Sequence, residues 1–222
     1  MPEFSIHLES DQHPILGALT TSVRAGDRIC LLGPSGTGKS TLLNAIAGLD
    51  PVSGSSIVFH NSPPRIGYLF QEHRLLPWRT LQANLQLAGA STAEATRLLA
   101  DVGLAGKAHY FPDQLSLGMA RRAALARCLA VQPGLLLMDE PFASLDPGTA
   151  DQLKSLIGGI LDKRPEMAMI CVTHDAGDAE DLANRLWYLD GQPARLIWDE
   201  EVSEAHRVRG RLAGLRAGAR PA

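Results

Sequence analysis

The sequence predicts an α/β fold with a mostly parallel sheet and an inserted helical subdomain. Three observations carry this. Short apolar runs alternate with helical patterns along the chain. Two of those runs, 135–138 and 168–172, contain almost no polar residues, as strands covered on both faces require. Between Glu72 and Leu115 the pattern turns purely helical before strands resume.

The first firm strand is Arg28–Leu32, followed by a glycine-rich loop and a helix over Lys39–Leu49. Strands are expected at Ser56–His60 and Ile66–Phe70. In the helical stretch, Ser91-Thr92-Ala93-Glu94 has the spacing of a capping box, and Leu98, Leu99 and Val102 follow on one face. Alanine and arginine favour helix, so a helix should begin near Ser116 and run through Ala120–Ala130. Leu135–Met138 is the next strand, Thr149–Lys163 a helix, and Ala168–Thr173 and Leu186–Leu189 two further strands. We expect one domain over 1–204, with its helical subdomain at about 72–130. The tail, 205–222, carries Arg207, Arg209, Arg211, Arg216 and Arg220 with no acid; a solvated, disordered terminus is the expectation, against a membrane or partner contact.

With 222 residues, 45% of them hydrophobic, the chain can bury a full core. Its net charge of −3 gives no electrostatic case for nucleic acid. Apolar stretches fall far short of the ~20 residues that span a membrane, and the N-terminus lacks the basic and apolar regions of a secretory signal. Cys30, Cys128 and Cys171 are widely spaced with no C-x-x-C pair, so neither a zinc site nor a redox pair is expected. A reduced, cytosolic protein follows.

Residues 33–41 read Gly33-Pro34-Ser35-Gly36-Thr37-Gly38-Lys39-Ser40-Thr41. The strand–loop–helix setting gives this G-x-x-x-x-G-K-[ST] pattern its meaning as a phosphate loop: backbone N–H groups turn inward on an anion, and the helix dipole adds to them. Lys39 reaches β and γ phosphates, and Ser40 offers its hydroxyl to Mg²⁺. Leu135-Leu136-Leu137-Met138-Asp139-Glu140 is an apolar strand ending in two carboxylates. Successive strand residues point in opposite directions, so the two acids have different tasks: Asp139 suits the metal, Glu140 a polarised water.

With these motifs the chain resembles the ATP-binding subunit of ABC transporters over about residues 15–190. Gln71 in Leu69-Phe70-Gln71-Glu72 is similar to the Q-loop. Leu115-Ser116-Leu117-Gly118-Met119 is similar to the signature motif, Ser144-Leu145-Asp146 to the D-loop, and Thr173-His174-Asp175 to the switch histidine. The resemblance implies a P-loop NTPase core with a small antiparallel β subdomain and a short helical one. It implies ATP and Mg²⁺, with Ser40, Gln71 and Asp139 on the metal, Lys39 on the phosphates, Glu140 as general base and His174 on the γ-phosphate. It also implies a head-to-tail dimer, in which Ser116, Gly118 and Asp146 complete the site of a second copy or a homologous ATPase. Integral-membrane permease subunits at the cytoplasmic face of the plasma membrane, and indirectly a solute-binding protein, are the remaining partners. Read on its own, His174 has an alternative as the cap of the helix starting near Asp175.

The chain departs from the family at Leu117 and Met119, where Gly and Gln are commonest. The stretch Ser10–Pro14 offers no aromatic for adenine, leaving His13 or a plain turn. Short intervals from Lys39 to Gln71 and from Gln71 to Ser116 imply trimmed subdomains. The segment Gln71–Thr80, with Leu75, Leu76, Pro77 and Trp78, resembles importers of nitrate, sulfonates and taurine; those apolar residues either floor the permease-docking groove or belong to the core. The expected function is therefore an importer ATPase for a small, anionic solute. The rivals are an exporter or lipid-transport ATPase, a soluble ABC ATPase of DNA repair or translation, a GTP switch, whose Asn-Lys-x-Asp motif is absent, and a regulatory subunit that binds ATP without turnover.

Overall fold

The computed structural model describes residues 3–8, 15–50, 55–60 and 62–202. Strands β1 (Phe4–Leu8), β2 (Leu19–Val23) and β3 (Arg28–Leu32) precede helix α1 (Lys39–Ile46). Strands β4 (Ser55–Phe59) and β5 (Ile66–Leu69) come next, then helices α2 (Leu81–Leu87), α3 (Thr92–Asp101) and α4 (Leu117–Ala130). The chain continues through β6 (Leu135–Asp139), α5 (Pro147–Asp162), β7 (Ala168–Val172), α6 (Ala176–Leu182), β8 (Arg185–Gly191) and β9 (Ala194–Glu201). The α/β class and the mostly parallel sheet are as the sequence predicts.

The main sheet has the order β5-β6-β7-β3-β8-β9. Its first five strands pair in parallel, and β9 closes the edge antiparallel to β8. All five residues of β6 and of β7 are buried. Their side chains divide between two cores. Ile29, Leu31, Leu135, Leu137, Ile170 and Val172 pack with α1 and the small sheet. Their neighbours Cys30, Leu32, Leu136, Met138, Met169 and Cys171 pack with helices α2–α6. The period-2 alternation of a strand thus feeds apolar groups to both faces, which is why these runs lack polar residues. Each fully buried aliphatic contributes about 1.5–3 kcal/mol.

The small sheet is antiparallel, in the order β2-β1-β4, and matches the implied β subdomain. Phe4 and Ile6 are buried beside Leu42 and Leu43 of α1. Arg185 ties it to the main sheet: the guanidinium donates to Asp199 at 2.6 Å, Asp27 at 2.7 Å and the Ser22 carbonyl at 2.9 Å. The Thr21 hydroxyl donates to Asp199 at 2.5 Å. Strands β1, β2 and β9 were not among the strands the sequence predicts. The predicted helix from Lys39 stops at Ile46 rather than Leu49, where Gly48 takes a φ of 69° and ends it.

The capping box at Ser91 forms as predicted. The Ser91 hydroxyl accepts the Glu94 N–H, and the Glu94 carboxylate accepts the Ser91 N–H at 2.9 Å. The stretch Ser10–Pro14, with His13, lies outside the described residues, as does the tail from 205 onward.

Candidate active site

The phosphate loop is shaped by what surrounds it. Gly38 caps α1 with a φ of 92°, and a Cβ there would sit 2.5 Å from Ile15 Cγ2. A Cβ on Gly33 would sit 2.2 Å from the Leu189 carbonyl oxygen of β8. Both positions therefore require glycine. No side chain caps α1, so its first N–H groups are directed at the loop, where an anion is favoured. The Lys39 ammonium donates to the carbonyls of Gly33 at 2.9 Å and Pro34 at 2.7 Å. Burial lowers its pKa, opposed by Glu140 and Asp139.

The sheet order brings the remaining groups alongside. β6 and β7 are neighbours, and β7 pairs with β3, so the residues after all three strands share one edge. This is the edge where ligands bind in open α/β sheets. Ser40 donates its hydroxyl to Asp139 Oδ1 at 3.0 Å. Burial raises the Asp139 pKa, and the Ser40 hydrogen bond opposes it. Glu140 follows in the left-handed region, φ 45°, a strained setting for a residue with a side chain. The turn sends its carboxylate elsewhere: Gln71 Nε2 donates to Oε2 at 3.4 Å, and His174 Nδ1 lies 4.0 Å from Oε1. Gln71, Glu140, His174 and Asp175 line a cavity of about 590 Å³. Asp175 caps α6, so the capping alternative for His174 does not hold.

The other sequence-predicted residues stand in their own chain's contacts. Ser116 caps α4 and accepts the Met119 N–H at 3.3 Å. Leu117 is 42% exposed. At Gly118 the room is taken within the chain: a Cβ there would lie 2.5 Å from the Thr149 methyl group of α5. Asp146 caps α5 by accepting the Thr149 N–H at 3.0 Å, and these hydrogen bonds with Thr149 lower its pKa.

Trp78 is 69% exposed, which excludes the core reading for it, while Leu75 is buried and belongs to the core. Ala47, Leu49, Tyr68, Phe70 and Ala88 line a groove of about 360 Å³. The rings of Tyr68 and Phe70 stack at 3.9 Å, and Arg74 covers Phe70 at 3.8 Å.

Sequence reasoning missed the groups that hold these loops. Arg121 of α4 donates to the Phe70 carbonyl at 3.0 Å, and Arg127 donates to the carbonyls of His73 and Arg74. The arginines stood out only as members of a helix. Their signal, a buried and a half-buried cation on α4 that hold carbonyls on either side of Gln71, needs the tertiary structure.

Among the described residues, no three His, Cys, Asp or Glu side chains gather as a metal cluster. The adjoining hydroxyl and carboxylate of Ser40 and Asp139 instead fit Mg²⁺, a hard cation usually held by few protein oxygens together with substrate phosphates.

Comparison with known proteins agrees with this geometry. Residues 16–143 match the ABC transporter family. The aliphatic sulfonates import ATP-binding protein SsuB 2 of Burkholderia cenocepacia is 43% identical over 197 residues, covering 85% of this chain and 72% of that one. SsuB 1 of Pseudomonas aeruginosa, with the same description, is 41% identical over 213 residues, covering 90% and 85%. Among solved structures, a dimeric ATP-binding cassette in a post-hydrolysis state, bound to ADP and Pi, superposes with a TM-score of 0.74 at 27% identity, covering 90% and 98%.

Proposed function

Because the chain belongs to the ABC transporter family, as an ATPase, we propose that it powers import of a small anionic solute, an aliphatic sulfonate before nitrate. The observation that carries the reading is the meeting of Lys39, Ser40, Asp139, Glu140 and His174 on one sheet edge. The name shared by relatives above 40% identity supports the solute class.

In this reading the triphosphate lies in the loop 33–41, with the β and γ phosphates against Lys39 and the N-terminus of α1. Ser40, Asp139 and Gln71 hold Mg²⁺, which supplies charge neutralisation for the phosphates. Glu140 orients the attacking water and takes its proton. His174 donates to a γ-phosphate oxygen. Catalysis then rests on position and charge more than on covalent chemistry. Ser116, Gly118 and Asp146 complete the site of a second subunit, head to tail; a similar cassette that is dimeric supports a dimer. The Trp78 segment and the groove lined by Tyr68 and Phe70 receive a permease subunit, which places the chain at the cytoplasmic membrane face and makes a solute-binding protein its indirect partner. We retain 1–204 as one ATPase domain with a helical subdomain at about 72–130, and 205–222 as a basic tail.

The test is uptake in cells deleted for this chain and complemented with it. Wild type should restore uptake of an aliphatic sulfonate, and Glu140→Gln should not. Restored nitrate uptake alone would replace the sulfonate with nitrate. Uptake of neither would remove the solute assignment and leave the ATPase standing.

A further inference from the structure

The cavity that holds Glu140 and His174 has one wall made of charges with no part in the chemistry above. Lys154 of α5 and Asp178 of α6 face each other at 3.6 Å, with side chains only 14% and 10% exposed. Asp178 also accepts the Thr173 hydroxyl at 2.6 Å, and Thr173 Oγ1 accepts the Asp175 N–H at 3.1 Å. These last two bonds bracket His174 on both sides. Lys154 further contacts Asp181 at 2.9 Å and Asp151 at 3.0 Å, on carboxylates 55% and 70% exposed.

Such surface pairs contribute little, whereas a buried carboxylate losing its only nearby cation is costly. The buried ion pair is therefore the one with consequence. It joins two loops of the site. α5 begins at Asp146, at the end of the turn that leaves Glu140, and α6 begins at Asp175, directly after His174. Without Lys154, the Asp178 carboxylate draws on Thr173 alone or takes a proton. In either case the loop around His174 loses its fixed relation to α5, and the 4.0 Å spacing of His174 and Glu140 goes with it.

We propose that Lys154, Asp178 and Thr173 form a clasp of positioning residues that sets His174 against Glu140 for hydrolysis. The proposal rests on the ATPase reading above. The clasp touches no phosphate, so it should act on turnover and not on nucleotide affinity.

The experiment uses the full chain with ATP and Mg²⁺. Lys154→Met keeps the aliphatic stem and removes the charge. It should lower kcat by about ten- to a hundredfold, the scale of a misplaced catalytic group, with ATP Kd unchanged. Lys154→Arg should restore most of the rate, and Asp151→Asn should leave it alone. In a His174→Ala background Lys154→Met should cost nothing further. The His174 imidazole resonance, read without nucleotide, should also shift in Lys154→Met, so the clasp is tested even if wild type fails to hydrolyse ATP, an outcome that would sink the ATPase reading instead. Wild-type kcat in Lys154→Met overturns the proposal, as does an equal loss with and without His174. If Lys154→Met does not fold, Thr173→Val carries the test: it removes the hydroxyl at nearly constant volume, and a wild-type rate there overturns the clasp.

Discussion

The two halves of the nucleotide machinery proposed for this ATPase are built differently. Around the phosphate loop, polar groups from separate elements already meet within one chain, as in the bonds of Lys39 to Gly33 and Pro34 and of Ser40 to Asp139. Around Ser116, the polar groups serve their own helices: Ser116 caps α4, Asp146 caps α5, and Gly118 makes room for Thr149. The first half is a cluster that one chain assembles by itself. The second is a surface whose polar groups are engaged in helix caps, with Leu117 left facing solvent. Nucleotide binding should therefore follow the first half alone and turnover should need both.

The strongest test of that division is Lys39→Ala. Removing a partly buried cation from a phosphate site should cost about 2–5 kcal/mol of ATP affinity, read by calorimetry on the isolated chain; wild-type affinity would contradict it. Next in size is Glu140→Gln. An amide accepts no proton, so turnover should fall by about a hundredfold or more while ATP still binds. Unchanged hydrolysis would remove Glu140 from its role.

Gly118→Ala sharpens the other side of the comparison. The added methyl group meets Thr149, so it should destabilise the fold by about 1–3 kcal/mol and lower turnover. Thr149→Ser deletes the opposing methyl but keeps the backbone bond to Asp146. If the double variant regains stability but not turnover, Gly118 also serves the interface between subunits. If both return, its role is packing alone. The smallest effect belongs to Trp78→Ala. An exposed side chain should change stability by no more than about 0.5 kcal/mol, whereas solute uptake should drop. A thermal melt lowered by many degrees would return Trp78 to a structural role.

Much of the phosphate-binding half was legible in the sequence because its signals are local. A buried parallel strand is an unbroken apolar run, and β6 and β7 read that way. A cap is a polar residue just before a helix, and Ser91 and Ser116 read that way too. Other parts lacked such a signal. In β2 the residues Leu19, Thr21 and Val23 face inward with Thr20 exposed between them, yet five residues of alternation are too few to stand out. β9 carries Arg195, Asp199, Glu200 and Glu201, and only its pairing with β8 makes it a strand. Gly118 and Thr149 lie 31 positions apart in sequence, and their contact exists only once α4 and α5 pack. Trp78 was open for the opposite reason: an indole after Leu75-Leu76-Pro77 reads equally as core or as groove, and only its 69% exposure in the folded chain decides.

The sheet order also bears on how the protein is made. β3 leads into the phosphate loop, but its partners are β7 and β8, about 140 residues further along. β5 and β6 pair directly with each other. A chain emerging from the ribosome can zip β5 to β6 while β3 still has no neighbour, and domains gain such long-range pairings slowly. Only when β7 inserts between β6 and β3 do Ser40 and Asp139 come within reach. The residues proposed to hold the triphosphate are thus translated early and become competent late, so a nascent chain stopped before Ala168 should carry the whole phosphate loop and still have no nucleotide site.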